Sequence, residues 1–209
     1  MTPVLLLSSP LVGPGTWEPA ADVLRAAGHP ATVADPRHVP DLPRPLLVAH
    51  SNAGLYAPYL ADRLDAVATV YLDAALAGDG PDTSLAPPAA LMDHLRMLAD
   101  ADGLLPPWTQ WWPEADVAAL FPSADARARV EAAEPRLPLS YFEARVPVPP
   151  GWTARPCTYL AFGDTYAEEL TRARSLGWPV EVLAGRHLHQ LVDPDAVVAA
   201  VLRLAARAT

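Results

Sequence analysis

Leu46-Leu47-Val48-Ala49-His50-Ser51-Asn52-Ala53-Gly54 joins an apolar run to a short polar turn in the first third of the chain. Leu46 to Ala49 are apolar and suit a strand buried on both faces. The next residues are small and polar, and a helix pattern begins at about Ala53. A serine at such a strand-to-helix turn is held proud of the sheet, its Oγ free and the N–H groups of the new helix beneath it. Those are the parts of a nucleophile and half an oxyanion hole. A tight turn needs small residues two before and two after the serine; here they are Ala49 and Ala53, followed by Gly54. The same string also reads as a serine capping an ordinary helix after a buried strand, and alone it does not choose between the two.

Working outward, short apolar runs alternate with helical patterns on both sides. Upstream, a strand over 4–8 ends at Ser9-Pro10, a helix is expected over 17–27 with Thr16 as cap and Gly28 as stop, and a second strand over 29–34 ends at Asp35-Pro36. A proline-rich link leads to the central strand. Downstream, the spacing predicts a helix over 53–64 and a strand over 67–72 with Asp73 at its end. The alternation resumes with a strand over 157–162, a helix over 166–176, a strand over 180–184 and a last helix from Pro194 toward Arg207. This pattern predicts an α/β protein: a doubly wound, mostly parallel sheet of about six strands joined by right-handed crossovers. Ligands sit beyond the carboxyl ends of such strands, where Ser9, Asp35, Ser51 and Asp73 all fall.

Between about 74 and 154 no buried strand is evident. Helical stretches over 88–101, 114–120 and 124–134 are divided by prolines, and Trp108, Trp111 and Trp112 cluster in one short piece. The expected organisation is therefore a core of residues 1–73 and 155–209 with a helical cap inserted at 74–154. The three tryptophans either face a pocket or glue the cap to the core.

Ser51, Asp164 and His187 stand at strand ends in that chain order. Serine is a poor nucleophile until a histidine takes its proton, and a carboxylate holds that imidazole in the right tautomer. With these residues the chain resembles, over nearly its whole length, the α/β-hydrolase family, whose triads run Ser…Asp…His. The stretch 46–54 resembles the family's nucleophile elbow with alanine at both glycine positions. His187-Leu188-His189-Gln190-Leu191-Val192-Asp193-Pro194 resembles its C-terminal histidine motif, and His187, not His189, keeps the spacing of seven residues to the proline. In the family a first strand leads to a His-Gly loop with an aromatic residue shortly after; Trp17 fits the aromatic, and Ser9-Pro10 stands where His-Gly is usual. The resemblance implies an oxyanion hole from the N–H groups of Asn52 and Leu11. It places the acid three residues after a glycine at the end of the penultimate strand. Here Asp164 follows Gly163 at once and the third position is Tyr166, so Asp164 leads, with Asp73 and Glu168 as alternatives. Ser9, Trp17, Trp108, Trp111 and Trp112 are the expected pocket residues.

Composition narrows the partners. Of 209 residues, 51% are hydrophobic and 19% charged, enough to build a sizeable core. The net charge of −9 argues against nucleic acid. All 15 basic residues are arginine, which carries no chemistry by itself. The one cysteine, Cys157, allows no intrachain disulfide. No cofactor and no metal are expected: His187 and His189 lack a matching carboxylate or cysteine at ligand spacing, and Gly13-Pro14-Gly15 lacks the third glycine of a nucleotide fingerprint. Residues 1–7 read as a first strand and not a signal peptide, and no apolar run approaches a membrane span, so a cytoplasmic protein without a membrane partner is expected; a homodimer is compatible with the sequence. The expected function is a serine hydrolase acting on an ester, thioester or lactone of a small, largely apolar molecule. The alternatives are a lyase or cyclase of secondary metabolism on the same scaffold, or a binding protein without catalysis.

Overall fold

In the computed structural model, which describes residues 1–208, six strands form one parallel sheet. The chain runs β1 (Val4–Leu7), α1 (Glu18–Ala26), β2 (Ala31–Ala34), β3 (Leu46–Ser51), α2 (Ala57–Arg63) and β4 (Ala68–Ala74). An excursion follows through β5 (Asp82–Ser84), α3 (Ala89–Leu98), α4 (Glu114–Ala118), α5 (Ala124–Glu131) and β6 (Arg145–Pro147). The chain then returns for β7 (Cys157–Phe162), α6 (Ala167–Ser175), β8 (Val180–Leu183), α7 (His189–Val192) and α8 (Pro194–Ala208). The sheet order is β2-β1-β3-β4-β7-β8, every neighbour parallel. The winding reverses between β1 and β3, so the crevice where such sheets bind ligands opens at the end of β3.

The four inner strands are buried along their length and largely apolar because both faces are covered, whereas the edge strands β2 and β8 are mostly half-buried. Val4, Leu6, Leu46, Val48 and Val70 face one way, onto α1 (Ala20, Leu24) and α8 (Val197, Val201, Leu204). Leu5, Leu7, Leu47, Ala49 and Tyr71 face the other way, onto α2 and the inserted segment. Alternate residues thus feed alternate cores, as the period of two requires. Gly28 takes φ 84° just beyond α1, the left-handed stop that its position implied.

Two local expectations are corrected. The helix over 53–64 is divided into a 3-10 turn, Asn52–Leu55, and α2, where Pro58 brings no N–H into the first turn. The insertion is not purely helical: β5 pairs antiparallel with β6, Thr83 opposite Val146. Asp-Thr-Ser and Arg-Val-Pro carry no alternating apolar pattern, and only their juxtaposition makes them strands. The insertion also shares its core with the sheet, since Leu85, Leu95, Trp108 and Phe142 pack in one cluster with β3 and α2. Among the described residues no helix is long and apolar enough to cross a membrane.

Candidate active site

The site starts from a register fault. Along β3 and β4 the pairing runs Leu46 with Ala68 through His50 with Leu72, and then Ser51 pairs with Ala74. Asp73 is the extra residue, a bulge at the end of β4 of the kind that re-aims a side chain. Ser51 sits at φ 58°, ψ −131°, and Asp73 at φ 42°. Each such backbone costs on the order of 1–3 kcal/mol and persists only where its surroundings enforce it. Part of that enforcement is the approach of the turn to β4. A Cβ on Gly54 would lie 2.1 Å from the Ala75 carbonyl oxygen. The residue that must be glycine is therefore the third after the serine, whereas Ala49 and Ala53 are both accommodated in the core.

His187, from the loop between β8 and α7, closes a hydrogen-bonded chain. Its Nδ1 lies 2.6 Å from Asp73 Oδ2 and its Nε2 lies 3.0 Å from Ser51 Oγ. A carboxylate only accepts, so the proton is on Nδ1, and Nε2 accepts from the Ser51 hydroxyl. Asp73 Oδ1 accepts from the Phe162 N–H at 3.0 Å. Both oxygens of this fully buried carboxylate are thus satisfied, as a buried charge requires.

His50, beside the serine, holds the histidine loop. Its Nε2–H donates to the His187 carbonyl at 2.8 Å, and Nδ1 accepts from Gln190 Nε2 at 3.4 Å. The two imidazole rings lie 4.6 Å apart. Burial pushes His50 well below the usual histidine range, and the neighbouring His187 adds to this. A neutral His50 leaves room for positive charge on His187. The loop is tight: a Cβ on Gly185 would meet the His189 ring at 2.5 Å. His189 lies edge-on against Phe162 and takes no part in the chain.

The fold brings Ser51 and His187 together as expected, and the acid is Asp73, named as an alternative, in place of the leading candidate Asp164. Among the described residues the carboxylate on His187 is Asp73. Asp164 and Glu168 are exposed along the cavity wall and neither hydrogen-bonds His187. The bulge at Asp73 delivers a carboxylate directly under the imidazole, and Nδ1 has a single proton to give. The third position after Gly163, where the family resemblance placed an acid, holds Tyr166. Its hydroxyl lies 3.3 Å from Ser51 Oγ and its ring 5.6 Å from that of His187. Burial pushes this phenol up to about 12.

Ser51, His187 and Tyr166 form the floor of a cavity of about 760 Å³. Trp108, Trp111, Trp112 and Phe142 supply an aromatic wall, and Asp164, Glu168 and Glu169 line another side. Two expected pocket residues lie elsewhere. Trp17 is buried in the core on the opposite sheet face, its Nε1–H donating to the Leu7 carbonyl at 3.2 Å. Ser9 is fully buried, and its Oγ accepts the Leu11 N–H at 3.3 Å. Leu11 does line the cavity. Asn52 lines the cavity and is tied to the cap: its Oδ1 accepts from the Tyr141 hydroxyl, which in turn accepts from Tyr56 at 3.3 Å. Sequence reasoning missed His50, Gln190 and Tyr141. Their roles come from contacts across 85 or more residues of chain, for which no local pattern exists. Among the described residues no three His, Cys, Asp or Glu side chains converge to hold a metal.

Comparison with known proteins agrees with this fold. The pattern describing the alpha/beta hydrolase family matches residues 3–200. A search of curated protein sequences finds no match. Among solved structures, the chain is similar to an extracellular alpha/beta-hydrolase from a Paenibacillus species, itself described as sharing homology with tobacco salicylic acid binding protein 2. The identity is 17% and the TM-score 0.73, over 98% of this chain and 99% of that one. It is also similar to a variant of tomato methylketone synthase I complexed with beta-ketoheptanoate, at 13% identity and TM-score 0.70 over 100% and 98% of the two chains. A pyrethroid hydrolase from Sphingobium faniae shows 16% identity and a TM-score of 0.68 over 98% and 97%. At these identities the likeness to each structure is one of fold.

Proposed function

The chain belongs to the alpha/beta hydrolase family, and from that premise we propose that it is a serine hydrolase acting on an ester, thioester or lactone of a small, largely apolar molecule. The observation that carries this reading is the unbroken hydrogen-bonded chain Ser51–His187–Asp73 at the floor of an aromatic-walled cavity. Ser51 Oγ attacks the acyl carbon while His187 Nε2 takes its proton. The Asp73 carboxylate stabilises the resulting imidazolium and keeps the ring in register. The Asn52 N–H, at the start of the turn after the serine, receives the developing oxyanion, a type of donor worth about 10²–10³ in rate. When the tetrahedral species collapses, His187 returns the proton to the leaving group. Water then repeats the sequence on the acyl-Ser51 ester.

Fluorophosphonate labelling tests this. Ser51 is expected to label, and Ser51→Ala to lose both the label and at least about 10⁴-fold of kcat/KM, since nucleophile and base act as one unit. A folded wild-type protein that never labels defeats the reading. So does a Ser51→Ala variant that keeps most of its turnover, which would point instead to a lyase or cyclase reaction without an acyl-enzyme.

A further inference from the structure

Tyr166 is the one polar group on the cavity floor that the scheme above leaves without a task. It follows β7 at the position three residues after Gly163, where the family resemblance places the acid, and here the acid is Asp73 instead. The phenol occupies the vacated place with its oxygen 3.3 Å from Ser51 Oγ. The Ser51 hydroxyl donates to His187 Nε2, so Tyr166 is the donor in its contact with Oγ. Its ring packs against the His187 ring at 5.6 Å, with an interplanar angle of 40°. The phenolic O–H is therefore on the histidine side of the nucleophile. The leaving group must depart on that side, because His187 Nε2 has to reach it with the proton.

We propose that Tyr166 is a further catalytic residue, donating a hydrogen bond to the departing oxygen of the substrate and so favouring oxygen esters and lactones over thioesters. This rests on the hydrolase reading of the same site. In the free enzyme the donor is held by Ser51 Oγ. On attack, Oγ becomes bonded to the acyl carbon, and the phenol turns to the neighbouring alkoxy oxygen of the tetrahedral species. The Oγ–C bond forms and the C–O bond breaks. The proton taken from Ser51 passes through His187 to the leaving alkoxide, giving an alcohol, and Tyr166 keeps its own proton throughout. With burial raising the phenol to about 12, it remains a donor at every working pH. A departing sulfur accepts hydrogen bonds weakly and gains little from the same group.

The test compares wild type with Tyr166→Phe on two probes, the ethyl ester and the S-ethyl thioester of phenylacetic acid. Thermal midpoints and fluorophosphonate titration of Ser51 establish that both proteins are folded and carry equal numbers of sites. The oxyester kcat/KM is expected to fall about 10- to 100-fold, the loss of a hydrogen bond to developing charge. The thioester value is expected to fall much less, so the oxyester-to-thioester ratio drops by about tenfold or more. Equal losses on both probes mean that Tyr166 only positions Ser51 and overturn the proposal, as does no loss on either. A wild-type protein that labels at Ser51 yet turns over neither probe overturns the proposed preference, whereas one that never labels removes the hydrolase reading itself, and this inference falls with it.

Discussion

At the scale of single residues, the site depends on which carboxylate meets His187. Asp73 is buried, accepts from Phe162 N–H and lies 2.6 Å from the imidazole, whereas Asp164 is exposed at the cavity wall. In Asp73→Asn, the amide oxygen keeps the Phe162 bond, but its NH2 faces Nδ1 and forces the imidazole proton to Nε2. Nε2 can then no longer accept from Ser51. The expected loss in kcat is about 10⁴-fold, with the fold retained by circular dichroism. Asp164→Asn is expected to stay within about threefold, as exposed substitutions away from the reacting atoms do. A larger loss from Asp164→Asn than from Asp73→Asn would reverse the assignment. Ser51 and His187 were legible in the sequence because one ends an apolar strand before a helix and the other keeps a characteristic spacing to the proline that opens the last helix. Asp73 was only one of three candidates, because nothing local marks a residue as the odd one in a bulge.

At the scale of elements, the serine turn is defined by how closely it approaches the next strand. Gly54 faces the Ala75 carbonyl with no room for a Cβ, and the obstacle is backbone, which cannot swing aside. Gly54→Ala is therefore expected to destabilise the protein by about 3 kcal/mol or more, through forced overpacking. Ala53→Gly, one residue earlier, is expected to cost about 1–2 kcal/mol, from backbone entropy and one lost buried methyl. Urea unfolding midpoints measure both; similar costs would contradict this account of the turn. The strands of the parallel sheet could be read directly, because burial on both faces leaves uninterrupted apolar runs. The β5–β6 ribbon could not, since its three-residue strands are defined only by one another.

At the scale of the whole molecule, charge and the cavity act together. The chain carries −9, Asp164, Glu168 and Glu169 line the cavity, and among the described residues no arginine does. A substrate bearing its own carboxylate meets like charge with no cation to receive it. We expect kcat/KM for a monoethyl dicarboxylate half-ester to be roughly tenfold below that of its neutral diethyl ester per ester group at low salt. That gap should narrow by about 0.5 M NaCl as the field is screened. Equal rates at all salt concentrations would show that the rim exerts no such selection.

The amino-acid sequence was enough for the class of fold, the chain order of the six sheet strands and two members of the hydrogen-bonded chain. All of these are written in short-range patterns: apolar runs, periodicity, and spacing to a strand end or a helix-opening proline. The acid, the neighbour of the nucleophile and the fate of the expected pocket residues emerge only from the folded chain. Asp73 reaches His187 across 114 positions and Tyr166 reaches Ser51 across 115. Trp17 proved to be core because its side of α1 packs beneath the opposite face of the sheet. Such contacts depend on the register of β3 against β4 and on how the loops close over the sheet edge. Those are properties of packed strands, and a string of residues does not carry them.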